Sequence, residues 1–295
     1  MAGGRRVRTK TRRSPLMGLL VLLIVIVLIL GAALILLSTR EQRKEPEPEP
    51  ETVTIGGQEV EIDPTLPQSE LEEGHFTKHE DGTITYSGAA RYGIDVSAHQ
   101  GEIDWAAVAG DGVEFAILRI GYRGYSAGAL NLDGQFEANY AGAREQGIDV
   151  GVYFFSQAIS EEEAREEARQ VLAWLEGKEI QCPIVYDWEH IEEDTARTDS
   201  VDGETVTACA RAFCEEIREA GYDPMIYCNG MLGYLSYDLT QLGDYPLWYA
   251  EYEDYPSYAY EVTIWQYTEA GTVAGIQGTV DRNIWFQADP EQPET

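Results

Sequence analysis

Pro183-Ile184-Val185-Tyr186-Asp187-Trp188-Glu189 is an apolar run that breaks, at its downstream end, into two carboxylates. A short β-rich run opened by Pro and closed by polar residues reads as a buried strand. Side chains at i and i+2 of a strand share a face, so Asp187 and Glu189 are expected to point the same way. Two acids crowded at the end of a buried strand do not both ionise cheaply, and one is expected to stay protonated near neutral pH. Glycosidic bond cleavage needs such a pair, a protonated acid for the leaving oxygen and a charged carboxylate beside it. Solvated loop residues or a calcium site would explain this segment, taken alone, equally well.

On both sides of this run, apolar strands alternate with helical stretches. Upstream, Tyr92–Val96, Phe115–Ile120 and Ile148–Phe155 read as strands, with helical stretches near Ile103–Ala109 and over Phe136–Gln146, the latter stopped by Gly147. Ser160-Glu161-Glu162-Glu163 is a capping box that opens a helix running to about Glu176. Downstream, Val206, Ala210, Phe213, Ile217 and Ala220 fall on one helical face. Strands follow at Pro224–Cys228, Pro246–Ala250 and Val262–Tyr267, with a short one near Thr279–Asp281. Eight strands alternating with helices predict an α/β fold, an incomplete (β/α)8-like barrel with reduced helices in its C-terminal third, where little sequence separates the strands. A doubly wound open sheet is the alternative, but no Gly-rich phosphate loop follows the first strand.

The 295 residues carry a net charge of -31, unevenly spread. Residues 1–44 hold nine Lys/Arg and one acid, so the remainder, with 12 basic and 51 acidic residues, stands at -39. A domain that acidic has no basic footprint for nucleic acid phosphates. Its 18 Tyr and 6 Trp suit stacking on a neutral ligand such as a sugar, although most aromatic residues serve a core. Residues 16–37 form a 22-residue run without a charge, long enough to span a hydrocarbon core of roughly 30 Å. With the basic tail 1–15 retained inside, the expectation is an uncleaved single-pass anchor, N-terminus cytoplasmic, with everything after Ser38 outside the cell. Residues 38–90, with the Pro-alternating EQRKEPEPEPE at 41–51, are expected to be an extended acidic stalk, with a short hairpin around Gly56-Gly57. The catalytic domain is then 91–288, followed by a tail at 289–295. Cys182, Cys209, Cys214 and Cys228 contain no Cys-x-x-Cys pair, and no histidine lies at zinc-ligand spacing, so no metal site is expected. One disulfide or four buried thiols are both compatible with this spacing.

In a barrel of this kind, function lies at the C-terminal ends of the strands. Those ends hold Asp95-Val96-Ser97-Ala98-His99-Gln100, then Asp187 and Glu189, then Asp281-Arg282-Asn283. Tyr153, Tyr227, Trp248 and Trp265 are aromatic neighbours, and with Trp188 and Gln100 they are the candidate substrate-binding residues. Asp95 also suits a helix N-cap, and His99 suits a supporting role. No Gly-x-Ser-x-Gly elbow supports a serine triad.

Gly93-Ile94-Asp95-Val96-Ser97-Ala98-His99-Gln100-Gly101-Glu102-Ile103-Asp104-Trp105 resembles the opening motif of glycoside hydrolase family 25, the lysozyme-type muramidases. The likeness continues through Phe115–Arg119, Gly151–Phe155, the Asp-x-Glu strand, Trp265-Gln266-Tyr267 and Gly275–Asp281, in the family's order over residues 91–288. The resemblance implies hydrolysis of the β-1,4 bond between N-acetylmuramic acid and N-acetylglucosamine in peptidoglycan glycan strands, without a cofactor. By position it makes Glu189 the general acid/base, Asp187 its partner carboxylate, and Asp95 and Asp281 the flanking acids. Two residues of strand, roughly 6.5–7 Å, place Asp187 badly for a nucleophile across the sugar from Glu189. Attack by the substrate's own 2-acetamido oxygen, oriented by Asp187, fits better, while Asp95 or Asp281 as base or nucleophile remains open. A catalytically silent wall tether and a glycosidase acting on another N-acetylated polymer such as chitin are the competing readings. The expected protein is a monomer.

Overall fold

All eight apolar runs from residue 90 onward become strands of one sheet that closes on itself. The computed structural model describes residues 15–41, 50–191 and 195–288. In chain order the elements are α1 (Pro15–Glu41), β1 (Thr52–Ile55), β2 (Gln58–Glu61), β3 (Phe76–Lys78), β4 (Ile84–Tyr86) and β5 (Ala90–Val96). There follow α2 (Trp105–Gly110), β6 (Phe115–Arg123), β7 (Leu130–Leu132), α3 (Phe136–Glu145), β8 (Asp149–Ser156), α4 (Glu161–Trp174) and β9 (Ile184–Trp188). The last are α5 (Gly203–Glu219), β10 (Pro224–Asn229), α6 (Gly230–Leu235), α7 (Leu239–Leu242), β11 (Leu247–Ala250), β12 (Ile264–Gly271) and β13 (Val280–Phe286).

The barrel order is β5-β13-β12-β11-β10-β9-β8-β6, and β6 pairs back onto β5, which rules out the open sheet. Within the barrel, strands β5, β6 and β8 to β12 run parallel to one another, but β13 is antiparallel to both β12 and β5, and the short β7 pairs antiparallel with β6 outside the barrel order. A (β/α)8-like barrel would be parallel throughout, so β13 departs from the expected architecture. Residues 272–279 are too few to hold a crossover helix, and a parallel return requires a dozen residues or more. The reversal also corrects the placement of Asp281, which lies at the start of its strand. Because that strand runs backwards, its start sits at the same rim as the ends of the others, and Asp281 pairs with Asp95 in register.

Strand alternation sorts the side chains into two layers. Phe115, Ile117, Val185, Met225, Tyr227, Trp248 and Ile264 fill the barrel interior. The intervening residues, Ile184, Tyr186, Trp188 and Trp265 among them, pack outward against the helices. Ser160 caps helix α4 as expected, its Oγ accepting the Glu163 N–H at 3.4 Å, but the reciprocal bond of a capping box is displaced by one residue, the Glu163 carboxylate accepting the Ile159 N–H at 3.0 Å. Helix α5 buries Val206, Ala210, Phe213 and Ile217, but Ala220 falls past its end and is exposed. The four cysteines are free and buried.

The stretch expected to be a stalk is folded from Glu51 onward, in the same compact unit as the barrel. Its β1–β2 hairpin turns on Gly56 and Gly57, whose φ values of 57° and 78° suit the tight two-residue turn. Residues 63–71 then lie along the 259–261 segment: Ser69 donates to the Ala259 carbonyl at 2.8 Å, and Glu261 donates to the Pro67 carbonyl at 3.0 Å. The β3–β4 hairpin covers the outer face of β12 and β13, where Phe76 meets Trp265 at 5.4 Å and Tyr86 meets Phe286 at 5.1 Å. Among the described residues no helix follows β12 or β13 to cover that face. The residues the sequence left as spacer supply the missing layer, burying Ile62 and Ile84.

Helix α1 has 27 residues and contains the uncharged run. Side chains at several of its positions lie outside the described residues, and among the described ones no helix is long and apolar enough to cross a membrane. The basic tail up to residue 14, residues 42–49 of the expected stalk and the tail at 289–295 also lie outside the described residues.

Candidate active site

Four acids converge at one rim of the barrel. Asp95 ends β5, Asp187 ends β9, Glu189 follows one residue beyond β9, and Asp281 opens β13. Alternation aims Asp187 inward with Val185, and Asp95 and Asp281 face each other across the β5–β13 ladder. Asp95 and Asp187 are buried, whereas Glu189 and Asp281 are half-buried.

Asp95 is held by two amides: its Oδ2 accepts Gln266 Nε2–H at 2.9 Å and Asn283 Nδ2–H at 2.8 Å. Behind them, Trp248 Nε1–H donates to Asn283 Oδ1 at 2.8 Å, and the Tyr252 hydroxyl donates to Gln266 Oε1 at 3.0 Å. Burial pushes Asp95 up to about 6, with the Glu189 charge adding to it against these hydrogen bonds and one to Asp281. Asp281 is pushed up to about 8, first by burial and then by the Asp95 charge, so the two carboxyls share a proton near neutral pH.

Asp187 is different. Burial, then the charges of Glu189 and Asp95, hold it well above the usual carboxylate range, opposed by Arg119. Its Oδ1 is buried and has no hydrogen-bond partner among the described residues. An unpaired buried acceptor costs on the order of 1–3 kcal/mol, a cost that a ligand N–H would relieve. Glu189 is positioned through its backbone. The fully buried Gln157 donates to the Glu189 carbonyl at 2.7 Å and accepts the Thr198 hydroxyl at 2.8 Å.

The aromatic candidates divide by strand parity. Tyr153 faces inward, 6.0 Å from Trp248, and burial followed by the Asp95 charge raises its hydroxyl pKa. Tyr227 and Trp248, 5.1 Å apart, form the buried floor of the pocket, offering little open face. Trp188 and Trp265 are corrections. Each neighbours an inward residue, Asp187 or Gln266, so each points outward into the core, with Nε1–H donated to the Ala158 carbonyl and the Glu251 carbonyl respectively. Gln100 is a third correction, because its Oε1 accepts the Ser97 N–H at 2.9 Å and closes a capping box at residues 97–100. His99, in that cap, is exposed. Sequence reasoning missed Tyr252, 48% exposed, whose ring is the open aromatic surface beside the Asp95 network. It also passed over Gln157, Gln266 and Asn283. For Gln266 and Asn283 the signal was available: they stand two residues from the inward Ile264 and Asp281.

A family model described as glycosyl hydrolases family 25 matches residues 94–276. The chain belongs to glycosyl hydrolases family 25. The autolytic lysozyme of Clostridium acetobutylicum is 26% identical over 190 residues, covering 64% of this chain and 54% of that one. Among solved structures, the modular autolysin LytC of Streptococcus pneumoniae, also solved in complex with a synthetic peptidoglycan ligand, superposes with a TM-score of 0.62 at 23% identity. That match covers 80% of this chain and 58% of LytC. A family 25 glycosyl hydrolase from Bacillus anthracis gives 0.56 at 22% identity, over 68% and 91% of the two chains. This family 25 chain thus spans little more than half the length of the first two. Its match begins at residue 94, so the layer built by residues 51–89 lies outside it.

The shared proton has a measurable consequence for stability. The unfolded carboxyls ionise near 3.8, whereas the folded pair holds its protons up to about 6 and 8. The pair's contribution is therefore fully present below 3.8 and is lost as pH rises toward 8. Asp281→Asn keeps a donor for Asp95 and removes one acid, so thermal melts from pH 4 to 8 are expected to decline less steeply in the variant. A relief of about 1 kcal/mol at pH 8 raises its Tm by ~2–4 °C over the parent. Parallel declines in both proteins would refute the shared proton.

Proposed function

We propose that this family 25 member is a muramidase that hydrolyses the β-1,4 bond between N-acetylmuramic acid and N-acetylglucosamine in peptidoglycan, tethered to the membrane and acting on the cell's own wall. The observation that carries the reading is the buried, unpartnered Asp187 Oδ1 beside Glu189. A 2-acetamido N–H is the donor it lacks. The lysozyme and autolysin relatives support the substrate class.

In the free protein burial, then the charges of Glu189 and Asp95, favour the protonated form of Asp187. An amide N–H donated to its carboxyl favours the ionised form, so substrate arrival moves the Asp187 proton toward Glu189. Glu189 then protonates the glycosidic oxygen as the bond to C1 breaks. The 2-acetamido oxygen attacks C1 from the opposite face, and Asp187 balances the positive charge developing on the amide nitrogen. Glu189, now a carboxylate, takes a proton from the water that opens the resulting ring. Asp95 and Asp281, with one proton between them, limit the negative charge facing Glu189.

Two inversions at C1 mean net retention. Purified peptidoglycan digested by the soluble domain is expected to yield new reducing ends on N-acetylmuramic acid, initially of β configuration by NMR. Initial α product would eliminate the acetamido route, and intact strands that still bind the protein would turn the reading to a silent tether. The anchor reading rests on the sequence: the uncharged run 16–37 would extend about 33 Å as a helix at 1.5 Å per residue, with the basic tail on the cytoplasmic side.

A further inference from the structure

Four acids at the rim, Asp95, Asp187, Glu189 and Asp281, are accompanied by an inward-facing cation. Arg119, from β6, faces inward beside Tyr153 of β8, its partner in register, and β9 with Asp187 is the next strand round. Among the described residues, Arg119 is the cation whose charge acts on both Asp187 and Tyr153. It is also held in place. Its Nε–H donates to Asp133 Oδ2 at 2.7 Å, and the buried Asp133 is itself fixed by the Ala98 and Gln135 N–H groups at 3.1 and 2.9 Å. The guanidinium lies 5.4 Å from the Tyr122 ring. Its two terminal nitrogens hydrogen-bond no described residue, so the forked end of a pre-positioned cation is left for a ligand.

The order of groups round the rim matches the order of atoms on a muramic sugar. Glu189 serves the oxygen on C1 and Asp187 the nitrogen on C2. The next strands on the side away from Glu189, bearing Tyr153 and Arg119, then face the substituent on C3. In a plain N-acetylglucosamine unit that substituent is a hydroxyl. In a muramic unit it is a lactyl ether ending in a carboxyl carbon, free or amide-linked to a peptide, with an oxygen that accepts from a guanidinium in either case.

We propose that Arg119 is a specificity-determining residue that reads the carboxyl-derived oxygen of the 3-O-lactyl group, so that the pocket prefers muramic to plain N-acetylglucosamine units. The inference rests on the muramidase reading, and a failure of each has a different signature. In the full-length chain carrying Glu189→Gln, which does not consume the ligand, binding is measured for three tetrasaccharides. These are chitotetraose, the alternating muramic tetrasaccharide with free lactyl carboxylates, and the same glycan carrying stem peptides.

Adding Arg119→Met is expected to weaken both muramic ligands by about 10- to 100-fold, the range of a charge-assisted hydrogen bond. Chitotetraose is expected to lose at least about ten-fold less than they do. Arg119→Lys, which keeps the charge without the fork, is expected to recover part of the preference, and it carries the test if the Met variant does not fold. Equal losses on all three glycans, or no loss on any, would overturn the assignment to the lactyl group. Failure of the Glu189→Gln parent to bind any muramic glycan, with no cleavage by the wild type, would overturn the muramidase reading and this inference with it.

Discussion

Glu189→Gln is expected to lower kcat on peptidoglycan by about 10²–10⁴-fold, the contribution of a positioned general acid, with wall binding and Tm near those of the parent. The substitution is nearly isosteric at a half-buried position. The hydrogen bond from Gln157 to the backbone carbonyl of residue 189 does not involve the side chain that changes and is kept. An unchanged Tm would assign the loss to chemistry. A glycoside with a nitrophenol leaving group needs little protonation, and on it the deficit of Glu189→Gln should shrink to a few-fold in the bond-breaking step. Asp187→Asn should behave differently. Its amide cannot balance charge on the acetamido nitrogen, so a good leaving group gives no comparable rescue. It also removes a proton-sharing neighbour of Glu189, so the acidic limb of its pH–rate profile should move. Retention of more than about a tenth of parental activity by Glu189→Gln would mean that another acid protonates the leaving group.

The barrel was legible because its strands are buried on both faces and read as continuous apolar runs between capped helices. The four acids were legible for a related reason, being polar groups placed where apolar runs stop. What failed was the assignment of faces. Trp188 and Trp265 sit in the same motifs as the acids, but a strand sends neighbours to opposite sides, and both belong to the outer layer. Applying to the aromatic residues the alternation that aligned Asp187 with Glu189 would have excluded Trp188. Gln100 was misplaced because a cap three residues downstream of a Ser competes for the same amide. Tyr252 lies on a loop, where no periodicity reports orientation. Neither Arg119 nor Asp133 stands out in sequence, since their pairing depends on a register that only the folded sheet sets.

The stalk was the largest misreading, and it leads to the second large effect. A soluble fragment beginning at Arg91 is expected to melt well below one beginning at Glu51, and to aggregate. Low hydrophobic content argued for a spacer, yet few apolar residues suffice when each meets a prepared surface. Ile62 and Ile84 are buried, and full burial of such side chains contributes roughly 1.5–3 kcal/mol apiece. The contacts of Phe76 with Trp265 and Phe286, and of Tyr86 with Phe286, add about 0.5–1.5 kcal/mol each beyond area. Freeing some forty residues returns conformational entropy, so the net loss is smaller than this gross sum. Even a net ~3 kcal/mol lowers Tm by ~6–12 °C in a chain of this size.

The damage should also reach the chemistry. Phe286 lies on the strand that carries Asp281, and Tyr92, whose hydroxyl accepts the Tyr86 N–H at 3.0 Å, lies on the strand that carries Asp95. Uncovering β13 loosens the ladder that aligns the two acids, so activity should fall more steeply with temperature than the global melt alone requires. Phe76→Ala with Ile84→Ala in the Glu51 fragment is the graded version, expected to give part of the loss without removing chain. An Arg91 fragment melting within about 2 °C of the longer one would return residues 51–89 to the role of a spacer.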